Sequence, residues 1–154
     1  MNTKGVRPVM IIEFFNLQQT GLGSKEALAY LAHKYFPQKI MLWAQDPEQA
    51  KAIDDWLWVY EAQAFLPHAL AGATDNAGEP VLISLEPKNL NRAGVLLLAF
   101  NPPISWLPDN EFARVVELIP TTPGPGLEAS RQRYRLLSKK AKLEHTTSLN
   151  YKQG

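Results

Sequence analysis

A chain of 154 residues with 45% hydrophobic content, four Trp, five Tyr and six Phe has the size of one domain and the apolar content of a folded one. It has no cysteine, which excludes a disulfide scaffold, a thiolate metal site and a Cys nucleophile, and which fits a reducing compartment. The formal net charge of +1 argues against a dedicated duplex-DNA binder, but it hides an asymmetry: residues 1–126 carry nine Lys/Arg against thirteen Asp/Glu, a net of −4, and residues 127–154 carry seven against two, a net of +5.

Val9-Met10-Ile11-Ile12-Glu13-Phe14-Phe15 reads as a buried strand, being short, β-branched and aromatic. It is too short to span a bilayer and no small-residue cleavage site follows it, so neither a membrane segment nor a signal peptide is expected, and the cytoplasm is the default location. Ser24 reads as the cap of a helix to about Phe36, with Ala27, Leu28, Leu31 and Ala32 on its core face and Pro37 ending it. A second strand covers Lys39 to Ala44. Asp46 then suits an N-cap, Pro47 the first helical position, and Glu48 the positive helix start. Ala50, Ile53, Leu57 and Val59 continue that helix as an apolar stripe. Phe65 to Gly72 has no helical period and reads as a short extended piece and a turn.

Pro80 to Leu85 and Gly94 to Phe100 are further strands, the second almost wholly apolar, as expected when both faces of a sheet are covered. Asn101-Pro102-Pro103 breaks it, and a short helix is expected near Pro108 to Glu111. Val115 to Ile119 reads as the last strand, stopped by Pro120. Thr121 to Gly126 is a hinge-like loop, and Leu127 to about Glu144 reads as a terminal helix. Strands alternating with helices predict a three-layer α/β fold, a largely parallel, Rossmann-like sheet flanked by helices, ending in a basic helix. The expected organisation is a single α/β domain over 1–145 and a polar, disordered tail over 146–154.

No constellation of catalytic groups is visible. Gly21-Leu22-Gly23-Ser24-Lys25 lies between a strand and a helix, where a phosphate loop would sit, but Ser precedes Lys and the first glycine of that pattern is missing; a turn and a Ser cap are the plainer reading. His33, His68 and His145 have no metal-ligand spacing, and His68 reads as a hydrogen-bonded structural residue. Asp54 and Asp55 point about 100° apart on a helix, and no serine sits in a nucleophile elbow. No enzyme activity, cofactor or metal is expected. Trp56 and Trp58 lie about 200° apart around their helix, so one is expected to pack inward and the other at a rim or interface.

The spaced residues Gln49-Ala50, Ile53-Asp54, Leu57-Trp58 and Phe65-x-Pro67-His68-x-Leu70-Ala71-Gly72 strongly resemble the chi subunit family of bacterial DNA polymerase III holoenzyme. Arg131-Gln132-Arg133-Tyr134-Arg135 resembles that family's C-terminal pattern. On a helix, Leu127, Arg131, Tyr134, Arg135, Ser138 and Lys142 would share one face, with Arg133 and Lys140 opposite.

The resemblance implies a binding protein: a non-catalytic accessory subunit bridging the clamp loader, through the psi subunit, to the acidic C-terminal tail of single-stranded DNA-binding protein. It assigns Arg131, Tyr134, Arg135 and Ile119 to the tail site. It assigns Phe65, with Leu66, Pro67 and His68, to the psi surface, which in some members also pairs with a repair helicase. DNA would be met only indirectly, and no membrane. Where some members place a lysine one turn before Arg131, this chain has Leu127. Two other classes stay open on the residues alone: a small nucleotide-binding α/β enzyme, and a direct single-stranded nucleic-acid module using the basic helix.

Overall fold

The computed structural model describes residues 10–59, 66–72, 76–98, 105, 106, 108, 111–119, 124–139 and 141–146. Among the described residues seven strands form one parallel sheet: β1 (Met10–Asn16), β2 (Ile40–Trp43), β3 (Ala69–Leu70), β4 (Val81–Ser84), β5 (Val95–Leu98), β6 (Arg114–Ile119) and β7 (Ala141–Thr146), in the order β3-β4-β2-β5-β6-β1-β7. Helices α1 (Leu17–Thr20) and α2 (Ser24–Tyr35) join β1 to β2, α3 (Pro47–Val59) joins β2 to β3, and α4 (Pro125–Leu137) joins β6 to β7.

The strand order explains which face each helix covers. Crossovers between parallel strands are right-handed. The steps β1 to β2 and β2 to β3 move along the sheet in one direction, and β6 to β7 moves in the other. The same hand therefore puts α2 and α3 on one face and α4 on the opposite one. The cores agree. Phe15, Ile40, Leu42, Ile83, Leu97, Val116 and Leu118 face the α2 and α3 residues Leu28, Leu31, Ile53 and Leu57. Ile12, Phe14, Met41, Trp43, Leu82, Leu96 and Val115 face Leu137 of α4, with Ala93 and Phe112 and the half-buried Leu90 and Trp106. The central strands are apolar on both sides because both sides are covered.

The turn expected at 21–24 is present. Gly21 closes α1 in the left-handed region (φ 77°), where a side chain would be strained, and its N–H donates to Leu17 O at 3.0 Å. The cap of α2 is Gly23, not Ser24, which is the first helical residue. Asp46 caps α3 as expected, its Oδ1 accepting from Gln49 N at 2.8 Å. Trp56 packs partly against the core while Trp58 is 50% exposed, as the 200° spacing requires. Val59 departs from the expected stripe and is 73% exposed. Residues 109 and 110 of the expected short helix, 121–123 of the expected hinge-like loop and 147–154 of the expected tail lie outside the described residues, whereas Pro125 and Gly126 belong to α4 and Thr146 to β7.

The largest departure is at the C-terminal end. The helix expected to run to Glu144 stops at Leu137, and residues 141–146 are β7, so Val115–Ile119 is not the last strand. Ala141-Lys142-Leu143-Glu144 has good helix formers, but it also alternates, which is the period of a strand. Pairing with β1, from Met10 with Ala141 to Phe15 with Thr146, decides between the two. Ala141 and Leu143 pack against the α4-side core, and Glu144 reaches Arg114 across the other face. Lys142 therefore does not share a helical face with Arg131.

Candidate functional site at helix α4

α4 starts with Pro125 in its first turn after Gly124, and it lies over the carboxyl halves of β6 and β1. Its inward face is Ser130, Arg133 and Leu137, spaced three and four apart. Arg133 is 1% exposed. Its Nε donates to Glu117 Oε1 at 2.9 Å and its Nη2 to Glu117 Oε2 at 2.8 Å, while Ser130 Oγ donates to Glu117 Oε2. A planar guanidinium matches a carboxylate with two parallel bonds, and removal from water strengthens both. Arg133 was expected on the far side of the helix. It is indeed on another side from Arg131, but that side is the interior. Its role is to hold α4 on β6.

With that phase fixed, Leu127, Arg131, Tyr134 and Arg135 turn towards a cavity of about 380 Å³, completed by Phe14, Ile119 and Ser130. Phe14 from β1 is buried, and Tyr134 packs on it with ring centroids 5.5 Å apart while staying 40% exposed. Ile119 and Leu127 are half-buried apolar walls. Arg131 and Arg135 stand at the rim with side chains 61% and 68% exposed. The four residues assigned to the tail site from the sequence, Arg131, Tyr134, Arg135 and Ile119, thus line one cavity. Leu127, expected on the same helical face, joins them, and Phe14 does so unforeseen. The site lies where crossovers leave the sheet in opposite directions, between β6 and β1, which is where open α/β sheets usually receive ligands. An apolar slot with two guanidinium groups at its mouth suits a ligand with one ring and nearby carboxylates.

The residues assigned to the psi surface are placed differently. Phe65 lies outside the described residues. Leu66 is 2% exposed and belongs to the core, Pro67 is half-buried, and His68 is 7% exposed. His68 is the structural residue expected: Nδ1 lies 2.8 Å from Leu66 O and Nε2 3.2 Å from Asp54 O, tying the segment to α3. The Trp58 ring lies 4.4 Å from that of His68, and with Val59 it carries the exposed apolar surface at the end of α3.

A second buried carboxylate lies on the α2 side. Glu13 of β1 accepts from Arg114 Nη1 at 2.8 Å and from the Tyr35 hydroxyl at 2.9 Å, and the same Arg114 Nη1 donates to Glu144 Oε1 at 3.0 Å. Burial first, then the Glu13 charge and the bond donated to it, push the Tyr35 phenol far above its ordinary value of 10. This group stitches β1, β6, β7 and α2 together. The sequence carried a signal for it: Glu13 and Glu117 are lone carboxylates inside apolar strands, and each demands a buried cationic partner. Among the described residues no group of three or more His, Cys, Asp or Glu could hold a metal ion, and no helix is long and apolar enough to cross a membrane.

Comparison with known proteins identifies the family. Residues 10–143 match the family described as DNA polymerase III chi subunit, HolC. The DNA polymerase III subunit chi of Pseudomonas aeruginosa is 32% identical over 108 residues, covering 68% of this chain and 72% of that protein. The corresponding protein of Escherichia coli is 28% identical over 83 residues, 54% of this chain and 56% of that protein, so the match spans little more than half the E. coli length. That of Haemophilus influenzae is 28% identical over 103 residues, 65% of this chain and 68% of that protein. Among solved structures, the crystal structure of T4 UvsW superposes with a TM-score of 0.58 at 11% identity, over 91% of this chain and 41% of that one, a likeness of fold alone. With the family match running from β1 into β7, this chain belongs to the DNA polymerase III chi subunit family.

Proposed function

We propose that the chain is a non-catalytic, cytoplasmic accessory subunit of the replicative polymerase that links the clamp loader, through psi, to the C-terminal tail of single-stranded DNA-binding protein. The observation that carries this reading is the α4 cavity, with Phe14, Ile119, Leu127 and Tyr134 as apolar walls and Arg131 and Arg135 at its mouth. Burying a terminal Phe ring contributes about 1.5–3 kcal/mol, and a charge-assisted hydrogen bond about 1.5–3 more. Ordering a flexible peptide opposes both, which leaves an affinity of the order of micromolar.

The test is calorimetric titration with a short acidic peptide ending in phenylalanine with a free carboxylate. Binding should weaken at least tenfold when that carboxylate is amidated, and likewise in Arg131→Ala and Tyr134→Ala. Lys139→Ala, an exposed cation off the cavity, should leave it unchanged. Equal losses for Arg131 and Lys139, with a single-stranded oligonucleotide bound more tightly than the peptide, would establish the bare nucleic-acid module instead.

The psi contact is proposed at Phe65 together with the exposed Trp58 and Val59, since Leu66 and His68 are interior. A repair helicase would share that face. Phe65→Ala should fold normally and lose co-purification with psi; a large drop in melting temperature with psi retained would mark Phe65 as a core residue.

A further inference from the structure

The two arginines at the mouth of the α4 cavity already share an anion. Arg131 Nη1 lies 3.8 Å from Glu128 Oε1, and Arg135 Nη1 lies 4.0 Å from Glu128 Oε2. One carboxylate, 52% exposed, therefore stands between both guanidinium groups, one turn before Arg131 and on the same side of α4. Both separations exceed the roughly 2.7–2.9 Å of a charge-assisted hydrogen bond. Glu128 offsets one of the two positive charges at a distance without a short bond to either guanidinium, whose donors remain available for shorter bonds.

We propose that Glu128 is an internal competitor of the acidic ligand, a specificity-determining residue that holds the place of the incoming carboxylate. This rests on the function proposed above. A ligand carboxylate that makes short bonds to Arg131 or Arg135 must take over a field that Glu128 now satisfies, and must sit beside a like charge. Glu128 thereby lowers the net charge of the mouth from two positive charges to one. Unspecific anions are held weakly there, and a ligand that also fills the apolar slot keeps its ring contribution intact. Leu127, which presents no cation in the preceding position, leaves this balance uncorrected.

Substituting Glu128 should therefore strengthen binding, the opposite of what loss of a contact residue does. Glu128→Gln removes the charge and keeps the shape. The acidic Phe-terminated peptide should bind it about two- to five-fold more tightly than the parent at low ionic strength, the range expected for an exposed ion pair. That gain should shrink in 0.5 M salt, where the screening length falls to about 3–5 Å. Glu128→Asp keeps the charge at the helix start but withdraws the carboxylate, and should fall between the two. A role confined to starting the helix predicts instead that Asp behaves as Glu does and that Gln lowers the melting temperature without tightening the complex. If the parent binds the peptide and Arg131→Ala weakens it, while Glu128→Gln binds equally or less well, the competitor role is wrong and the tail site stands. If the parent does not bind the peptide, or binding ignores Arg131→Ala, the tail site itself is wrong, and this inference falls with it.

Discussion

The two sides of α4 use arginine in opposite ways. On the inner side, Arg133 is sealed against Glu117 with two bonds of 2.9 and 2.8 Å and the hydroxyl of Ser130 beside it. On the outer side, Arg131 and Arg135 reach Glu128 only at 3.8 and 4.0 Å, with most of each side chain in water. The inner pair has lost its hydration, so it must be complete or very costly. The outer cations keep theirs, so they can exchange one anion for another at little cost. Charge near the sheet fixes the helix, and charge near solvent is left free to bind.

The strongest way to break this comparison is Arg133→Ala. It leaves the Glu117 carboxylate buried without its cation, and should cost about 3–5 kcal/mol of stability in urea denaturation. The paired change Arg133→Met with Glu117→Leu removes both charges and should recover most of that loss. If Arg133→Ala were as stable as the parent, the interior role of that pair would be refuted.

The Glu13 group sharpens the comparison through pH. The Tyr35 phenol is held protonated in the fold, while the unfolded chain releases that proton near pH 10. Its contribution is therefore complete below pH 10 and declines as pH rises above it, because the unfolded state sheds the proton first. Tyr35→Phe should lose about 1 kcal/mol at pH 8, the worth of a typical hydrogen bond, and should then lose less than the parent between pH 9 and 11. Parallel urea curves at the two pH values decide it; identical pH slopes for parent and variant would show that Tyr35 does not report on Glu13.

The smallest effects belong to the exposed pairs. Arg131→Ala should change stability by no more than about 0.5 kcal/mol, and so should Lys51→Ala, which breaks the 3.2 Å surface pair with Asp55 on α3. Arg131 should nonetheless be the most damaging of these changes for peptide binding. A stability loss at Arg131 comparable to that at Arg133 would erase the distinction between the two sides.

Much of this was legible in the residues. The alternation of apolar strands with helices gave the layers, and Asp46-Pro47 marked the start of α3. Arg131, Tyr134, Arg135 and Ile119 were named together and line one cavity. What escaped depended on contacts far apart in sequence. Residues 141–146 suit a helix or a strand until β1 offers itself as a partner, and only the sheet makes that choice. The sequence puts Arg133 only opposite Arg131, because helical spacing gives angles between side chains but not which angle faces the sheet. That zero of phase is set by Glu117, sixteen positions earlier. Phe14 joined the cavity unannounced because a strand residue buried in a core and one flooring a pocket look alike in sequence.

The order of the sheet also bears on how the chain is made. Among the described strands β1 is made earliest, yet its two neighbours are made latest: Ile11 pairs with Arg114 of β6, and Met10 pairs with Ala141 of β7. Strands β2 to β5 form their own contiguous block and can pair while synthesis continues. Through that interval β1 lacks both of its sheet neighbours, and Glu13, though Tyr35 is already made, lacks the guanidinium of Arg114. Long-range parallel pairing is slow and leaves strand edges open to aggregation. A ribosome stalled before β6 would therefore expose β1 without its sheet neighbours, and α4, made between β6 and β7, would pack only after strands β2 to β5 are in place.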